Sequence, residues 1–209
     1  GSIGMSLRER GLAKEVVGIG RRKPSLAKAK RVGAIDTGTT DLARGVARAE
    51  LVIVCTPVAQ IVRHIREAAA SCPSHALITD AGSTKESIVR ELEDEPLPER
   101  VRFVGSHPLA GSEKTGCEHG DANLFTDRVC VITPSRRTRQ ADYETIAGFW
   151  ESLGMTTLRM TPKAHDAALS ATSHLPHVVA AALASATREK HLPLVAGGWL
   201  DTTRIAAAD

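Results

Sequence analysis

Three apolar runs in this chain each end in a short polar turn. Leu51-Val52-Ile53-Val54-Cys55 leads into Thr56-Pro57, Ala76-Leu77-Ile78-Thr79-Asp80 into Gly82-Ser83-Thr84-Lys85, and Val101-Arg102-Phe103-Val104-Gly105-Ser106 into His107-Pro108-Leu109-Ala110-Gly111. Short apolar runs of this kind, separated by segments of helical period, read as buried strands of a parallel sheet joined by crossover helices. In such an open sheet, ligands collect outside the carboxyl ends of the strands. The side chains just past those ends, Thr56, Ser83 and His107, are therefore expected to be neighbours in one crevice.

The rest of the chain keeps the same rhythm. Helical patterns are expected over 2–10, 25–31, 41–48, 58–70, 85–93 and 141–153, and strands over 16–19, 51–55, 76–79, 101–104, 129–133 and 156–160. The clearest helix carries Val58, Ile61, Val62, Ile65 and Ala69 on one stripe. Residues 106–127 lack periodicity and are rich in Gly, Ser, His and charge; a long loop of this kind in a compact domain is usually functional. Beyond Pro162 the pattern changes to helix alone, through Ser173-His174-Leu175-Pro176-His177 into an Ala-rich segment. The fold class expected is α/β: a Rossmann-like, doubly wound, mostly parallel sheet over residues 1–161, followed by an incomplete all-α domain over 162–209.

The chain opens on Gly1-Ser2-Ile3-Gly4, directly followed by a helical pattern and then a strand that ends in Gly20-Arg21-Arg22. A dinucleotide fold has a central first strand, and its turn carries the G-x-G-x-x-G fingerprint that brings a pyrophosphate to a helix N-terminus. At most the final glycines of that turn are present, with Gly1 among them. At the other end, Gly197-Gly198-Trp199-Leu200-Asp201-Thr202-Thr203-Arg204 lies close to the last residue. The chain is thus expected to be a fragment of a longer protein, lacking a first strand and further helices.

Composition removes several function classes. Acidic and basic residues are interspersed, the net charge is +3, and aromatic residues make up only 3% of the chain, so base stacking on nucleic acid has little to work with. The four cysteines are scattered without a CxxC spacing, and Cys55 and Cys130 sit in apolar strand runs, which suits a reducing, cytoplasmic compartment. The longest apolar stretch, 178–186, is far short of a membrane span, and no signal peptide opens the chain.

Each candidate residue has a plainer competitor. His107 precedes a proline at a strand's carboxyl end, a poor place for core packing, so a chemical role is favoured over a turn cap. For Ser83 two roles stand open: hydrogen bonding to His107 or to a substrate hydroxyl, or capping the following helix together with Thr84. Arg204 offers a planar, always-charged fork for a carboxylate, or it is a solvated charge. His174 and His177 share one helical face, yet no third ligand is paired with them at a recognisable spacing, so no metal is expected. His64, His75, His119, His165 and His191 read as structural or exposed. The strand ending Gly20-Arg21-Arg22 lacks the Asp or Glu that binds a ribose 2′-hydroxyl, which favours NADP over NAD, unless the two arginines are simply solvated.

Taken together, these segments resemble the prephenate and arogenate dehydrogenase family of tyrosine biosynthesis. The resemblance rests on Gly1 to Leu7 after the glycine fingerprint, Asp80-Ala81-Gly82-Ser83-Thr84-Lys85, His107-Pro108-Leu109-Ala110-Gly111, Ser173-His174-Leu175-Pro176-His177, and Asp201-Thr202-Thr203-Arg204-Ile205-Ala206-Ala207. It implies oxidative decarboxylation of a cyclohexadienol, prephenate or arogenate, driven by aromatisation. His107 would take the hydroxyl proton, a role that typically contributes about 10²- to 10⁴-fold. Ser83 would assist it, Arg204 would hold a carboxylate, and His177, with Ser112, Glu113 and His174, would line the substrate pocket. Gly1, Arg21, Arg22, Thr56 and Pro57 would lie along the dinucleotide. The family often has a basic residue where this chain has Leu200, a departure that bears on substrate choice. A homodimer is the implied assembly.

Two other readings differ in class. A β-hydroxyacid or imine-type dehydrogenase would place a Lys on the second-domain helix, where His174 and His177 stand. A non-catalytic nucleotide-sensing module would bind nucleotide without turning over a cyclohexadienol.

Overall fold

The structure is a computed structural model that describes residues 1–111 and 116–207. It divides into two compact units, Gly1–His165 and Asp166–Asp209.

The first unit is an α/β layer. Strands β3 (Leu51–Val54), β4 (Leu77–Asp80), β5 (Arg102–Pro108), β6 (Val129–Thr133) and β7 (Thr156–Arg159) form a five-stranded sheet in that order, and β1 (Val17–Ile19) pairs with β2 (Thr37–Thr39) in a separate parallel pair. The helices that link them are α1 (Ser2–Glu9), α2 (Lys23–Arg31), α3 (Leu42–Val46), α4 (Val58–Ser71), α5 (Glu86–Asp94) and α6 (Gln140–Ser152). The strands read as continuous apolar runs because both faces of the sheet are covered. Ile78 joins Val54, Ile61, Ile65, Ile88 and Leu92 in one core beneath α4 and α5, while its neighbour Leu77 joins Val104, Ile132, Ile146 and Trp150 in another beneath α6. Ile61, Ile65, Ile78, Ile132 and Ile146 have no exposed surface, and each fully buried side chain of this size stabilises the fold by roughly 1.5–3 kcal/mol.

The sheet is mixed, and β5 is where its direction changes. Arg102–Val104 pair parallel with β4, whereas Gly105, Ser106, His107 and Pro108 pair antiparallel with β6, His107 opposite Val131. Gly105 permits the changeover: a Cβ there would lie 2.7 Å from Thr133 Oγ1. His107 is therefore held inside a strand rather than in the turn beyond it, a correction to the sequence reading. Strand β2 was not anticipated, because Thr37-Gly38-Thr39 carries no apolar residue. The helix expected over 41–48 is shorter, with Asp41 as N-cap accepting from the Arg44 amide at 3.0 Å.

The second unit is helical among its described residues. α7 (Pro162–Leu169) begins in the first unit and passes through a π-helical turn, Ser170–His174, into α8 (Leu175–Ala186), followed by a short 3₁₀ turn and α9 (Gly197–Thr203). Pro176 has no N–H to donate to the preceding turn, which favours the local widening at Ser170–His174. By length and composition alone, the continuous run Pro162–Ala186 is long and apolar enough to cross a membrane. The expectation drawn from 178–186 counted only part of that helix.

Candidate active site

Beneath the carboxyl ends of β4 and β5 lies a buried polar platform. Asp80, the last residue of β4, and Lys85, the N-cap of α5, form an ion pair with no exposed side-chain surface on either partner. Asp80 Oδ2 also accepts from the Gly82 amide at 2.9 Å, and Oδ1 from the Ser106 amide at 3.3 Å. Burial pushes the Asp80 carboxyl above its ordinary range, and the Lys85 ammonium and these two amides oppose the shift. Ser106 ties the platform to the neighbouring layers: its hydroxyl donates to the Asp80 carbonyl at 2.6 Å and accepts from Trp150 Nε1–H at 3.0 Å. Thr79 Oγ1 lies 2.8 Å from the same hydroxyl and donates to the Val104 carbonyl.

This platform presents two candidate residues. The loop closed by Asp80 and Lys85 carries Ser83, whose exposed hydroxyl bonds to nothing among the described residues. Neither open role assigned to Ser83 inside the protein is realised: α5 is capped at Lys85 without a side-chain bond, and Ser83 makes no hydrogen bond to His107. On β5, alternation turns Ser106 into the platform and His107 to the opposite side. His107 is half-buried, and its Nδ1 lies 2.9 Å from Nε2 of His165, with the two rings at 72°. His165 has no exposed surface. It sits in the first turn of α7, which Thr161 caps through its hydroxyl to the Ala164 amide at 3.2 Å.

His165 was passed over in the sequence, and so was the Asp80–Lys85 pair. The available signal was a His one turn into a helix opened by Thr161-Pro162, which places its side chain back toward the last strand.

The cofactor candidates occupy the first unit. Gly1 caps α1, and Gly4, one turn on, allows a close approach: a Cβ there would lie 1.9 Å from the Ala34 carbonyl oxygen. Close packing of this kind is what the last glycine of a dinucleotide fingerprint provides. Arg21 and Arg22 are exposed just after β1, with Arg22 as the N-cap of α2. Thr56 and Pro57 lie between β3 and α4, and Thr56 Oγ1 is 3.0 Å from His64 Nδ1.

In the second unit, His174 ends the π-helical turn and His177 lies in the first turn of α8; both are exposed. His177 Nδ1–H donates to the Ser173 carbonyl at 2.9 Å, which leaves the Nε2 lone pair for another partner. Arg204 follows α9 and is exposed. Ser112 and Glu113 lie outside the described residues.

Comparison with known proteins fits this arrangement. Residues 3–158 match the family description "Prephenate dehydrogenase, nucleotide-binding domain", and residues 161–209 match "Prephenate dehydrogenase, dimerization domain". The chain is 36% identical to a prephenate dehydrogenase of Bacillus subtilis, matching across 100% of its own length and 58% of that relative. It is 34% identical to a cyclohexadienyl dehydrogenase of Zymomonas mobilis, over 87% of the chain and 64% of that protein. It thus spans less than two thirds of the length of these curated relatives. Among solved structures, the prephenate dehydrogenase of Aquifex aeolicus in complex with hydroxyphenyl propionate and NAD+ superposes with a TM-score of 0.88 at 32% identity, covering 100% of this chain and 74% of that one. With both domain descriptions of one family matched in order along residues 3–158 and 161–209, and Gly4, His107 and the Asp80–Lys85 platform in the first of them, the chain belongs to the prephenate dehydrogenase family.

Proposed function

We propose that the whole protein is an NAD(P)-dependent dehydrogenase that oxidatively decarboxylates prephenate or arogenate. The observation that carries this reading is His107, half-buried on β5 and hydrogen-bonded to a buried partner, within a chain of the prephenate dehydrogenase family. His107 would accept the proton of the ring hydroxyl and return it to the phenolic oxygen once the ring has become aromatic. A bound nicotinamide would supply the acceptor for the hydride on the carbon bearing that hydroxyl, and loss of the ring carboxylate as carbon dioxide would leave its bonding electrons to complete the aromatic ring. Ser83, with its hydroxyl open, would hydrogen-bond the substrate hydroxyl beside His107. Arg204 would hold a substrate carboxylate through its guanidinium fork, and His177, His174, Ser112 and Glu113 would line the pocket.

Gly1, Thr56, Pro57, Arg21 and Arg22 would bind the dinucleotide. The residues present suit such a group: Gly4 lets α1 approach closely, and the exposed arginines after β1 favour a 2′-phosphate, hence NADP over NAD. The protein would act as a homodimer, a reading supported by the dimerisation-domain match and by the exposed Leu175, Val178, Val179 and Leu200. A cytoplasmic setting accords with four free cysteines.

The test is reduced-nicotinamide formation by the full-length protein, with prephenate and arogenate offered in turn alongside NADP+ or NAD+. Turnover of at least one substrate, faster with NADP+, is expected. A folded protein that binds nucleotide and turns over neither substrate would overturn the proposal.

A further inference from the structure

We infer that His165 is a positioning residue: it accepts a hydrogen bond from His107 and so fixes which ring nitrogen of His107 is available for catalysis. The inference rests on His107 being the group that takes the hydroxyl proton.

Two imidazole nitrogens 2.9 Å apart share one proton in a hydrogen bond. If His165 Nε2 carried that proton, His107 Nδ1 would be the acceptor; a neutral His107 would then hold its own proton on Nε2, and no lone pair would remain there to take another. If His107 Nδ1 carries it, His165 Nε2 accepts, and the lone pair of a neutral His107 lies on Nε2. Only the second arrangement lets His107 act as a base at Nε2, and the tautomer of an imidazole is set by the bond its other nitrogen makes.

The surroundings are built to keep the two rings in register. The backbone of His107 is locked in the β5–β6 ladder opposite Val131. His165 has no exposed surface and occupies the first turn of a helix whose start is fixed on both sides. Thr161 Oγ1 caps the Ala164 amide, the His165 amide donates to the Thr161 carbonyl at 2.9 Å, and the Met160 amide ties the preceding strand end to Ile132 at 3.1 Å. A partner fixed in this way limits the rotation of the His107 ring as well as its tautomer, and both determine whether Nε2 meets a substrate hydroxyl within hydrogen-bond reach.

The test uses the full-length protein labelled with 15N-histidine, with the His107 ring signals assigned by their loss in His107→Asn. In the wild type, the ring is expected as the Nδ1–H tautomer. His165→Gln places an amide oxygen where Nε2 stood and is expected to keep that tautomer; His165→Phe and His165→Asn, which offer no acceptor at that position, are expected to lose it. In parallel, kcat is expected to fall in the Phe and Asn variants by roughly 10²-fold or more, within the range a general base contributes, with KM changed by less than about threefold and with substantial recovery of kcat in the Gln variant. If Phe proves too disruptive to fold, the Gln and Asn pair carries the comparison alone. A wild-type ring already protonated at Nε2, or folded Asn and Phe variants with unchanged tautomer and kcat, would overturn the inference. The ring spectrum is read without substrate, so a protein that shows the expected tautomers yet turns over neither cyclohexadienol would refute the dehydrogenase proposal and leave the positioning role of His165 standing.

Discussion

Lys85 Nζ meets Asp80 Oδ2 in an ion pair whose two side chains expose no surface at all, directly below the loop that carries Ser83. Removing the Asp80 charge takes from the buried Lys85 ammonium the carboxylate it is paired with, and breaking a buried pair on one side is strongly destabilising. Asp80→Asn is therefore expected to destabilise the full-length protein by about 3–5 kcal/mol, whereas Asp80→Asn combined with Lys85→Met recovers much of that loss. Chemical denaturation of the single and double variants measures the difference.

The same pair has a signature in pH. Because burial raises the Asp80 carboxyl above its ordinary 3.8, the native state holds a proton there over a range in which the unfolded chain has released it. The unfolded state then binds fewer protons, so the contribution of this group to stability falls as pH rises from about 3.8 through the raised value. Relative to the Asp80→Asn, Lys85→Met double variant, the wild type is expected to lose stability across that window, as read from denaturation midpoints at a series of pH values. A wild type that instead gains on the double variant as pH rises would show that the Lys85 ammonium outweighs burial.

Ser106→Ala probes the link between β5 and α6. The substitution leaves the buried Trp150 Nε1–H without its acceptor, at a cost of about 1–3 kcal/mol. Ser106→Cys, which keeps a weak acceptor in place, is expected to cost less.

Gly4→Ala addresses the cradle proposed for the cofactor. Its new methyl group would fall 1.9 Å from the Ala34 carbonyl oxygen, a backbone atom with no rotamer to escape into, so α1 must shift. Destabilisation of about 1–3 kcal/mol or more is expected, together with weakened nucleotide binding measured by titration calorimetry.

At Arg21 and Arg22, replacement of both by Ala separates the two cofactors. Loss of charge-assisted bonds to a 2′-phosphate, about 1.5–3 kcal/mol, is expected to raise the KM for NADP+ by roughly 10-fold or more while leaving that for NAD+ within about twofold.

The central strands were legible because a doubly covered sheet favours continuous apolar runs such as Leu51–Val54 and Ala76-Leu77-Ile78. Strand β2 was not, since Thr37-Gly38-Thr39 pairs through backbone alone and leaves no apolar trace. His107 stood out by its neighbours Ser106 and Pro108, but its place inside β5 depends on Gly105 accepting β6 from the opposite direction, a contact made with residues far along the chain. His165 was harder to read for the same reason: its place one turn after Thr161-Pro162 hints at the side chain's direction, but its partner lies 58 positions away. Lys85 looked like part of a polar turn, because lysine is seldom fully buried unless a partner such as Asp80 neutralises it.

The most direct measurement is the rate of nicotinamide reduction by the full-length protein with prephenate and with arogenate, for the wild type and for His107→Asn, at saturating cofactor. The expected result is turnover of one or both substrates by the wild type, and a fall in kcat of about 10²- to 10⁴-fold in the variant with nucleotide affinity unchanged. Equal rates in the two proteins would contradict the role given to His107, and absence of turnover in a folded, nucleotide-bound wild type would contradict the dehydrogenase itself.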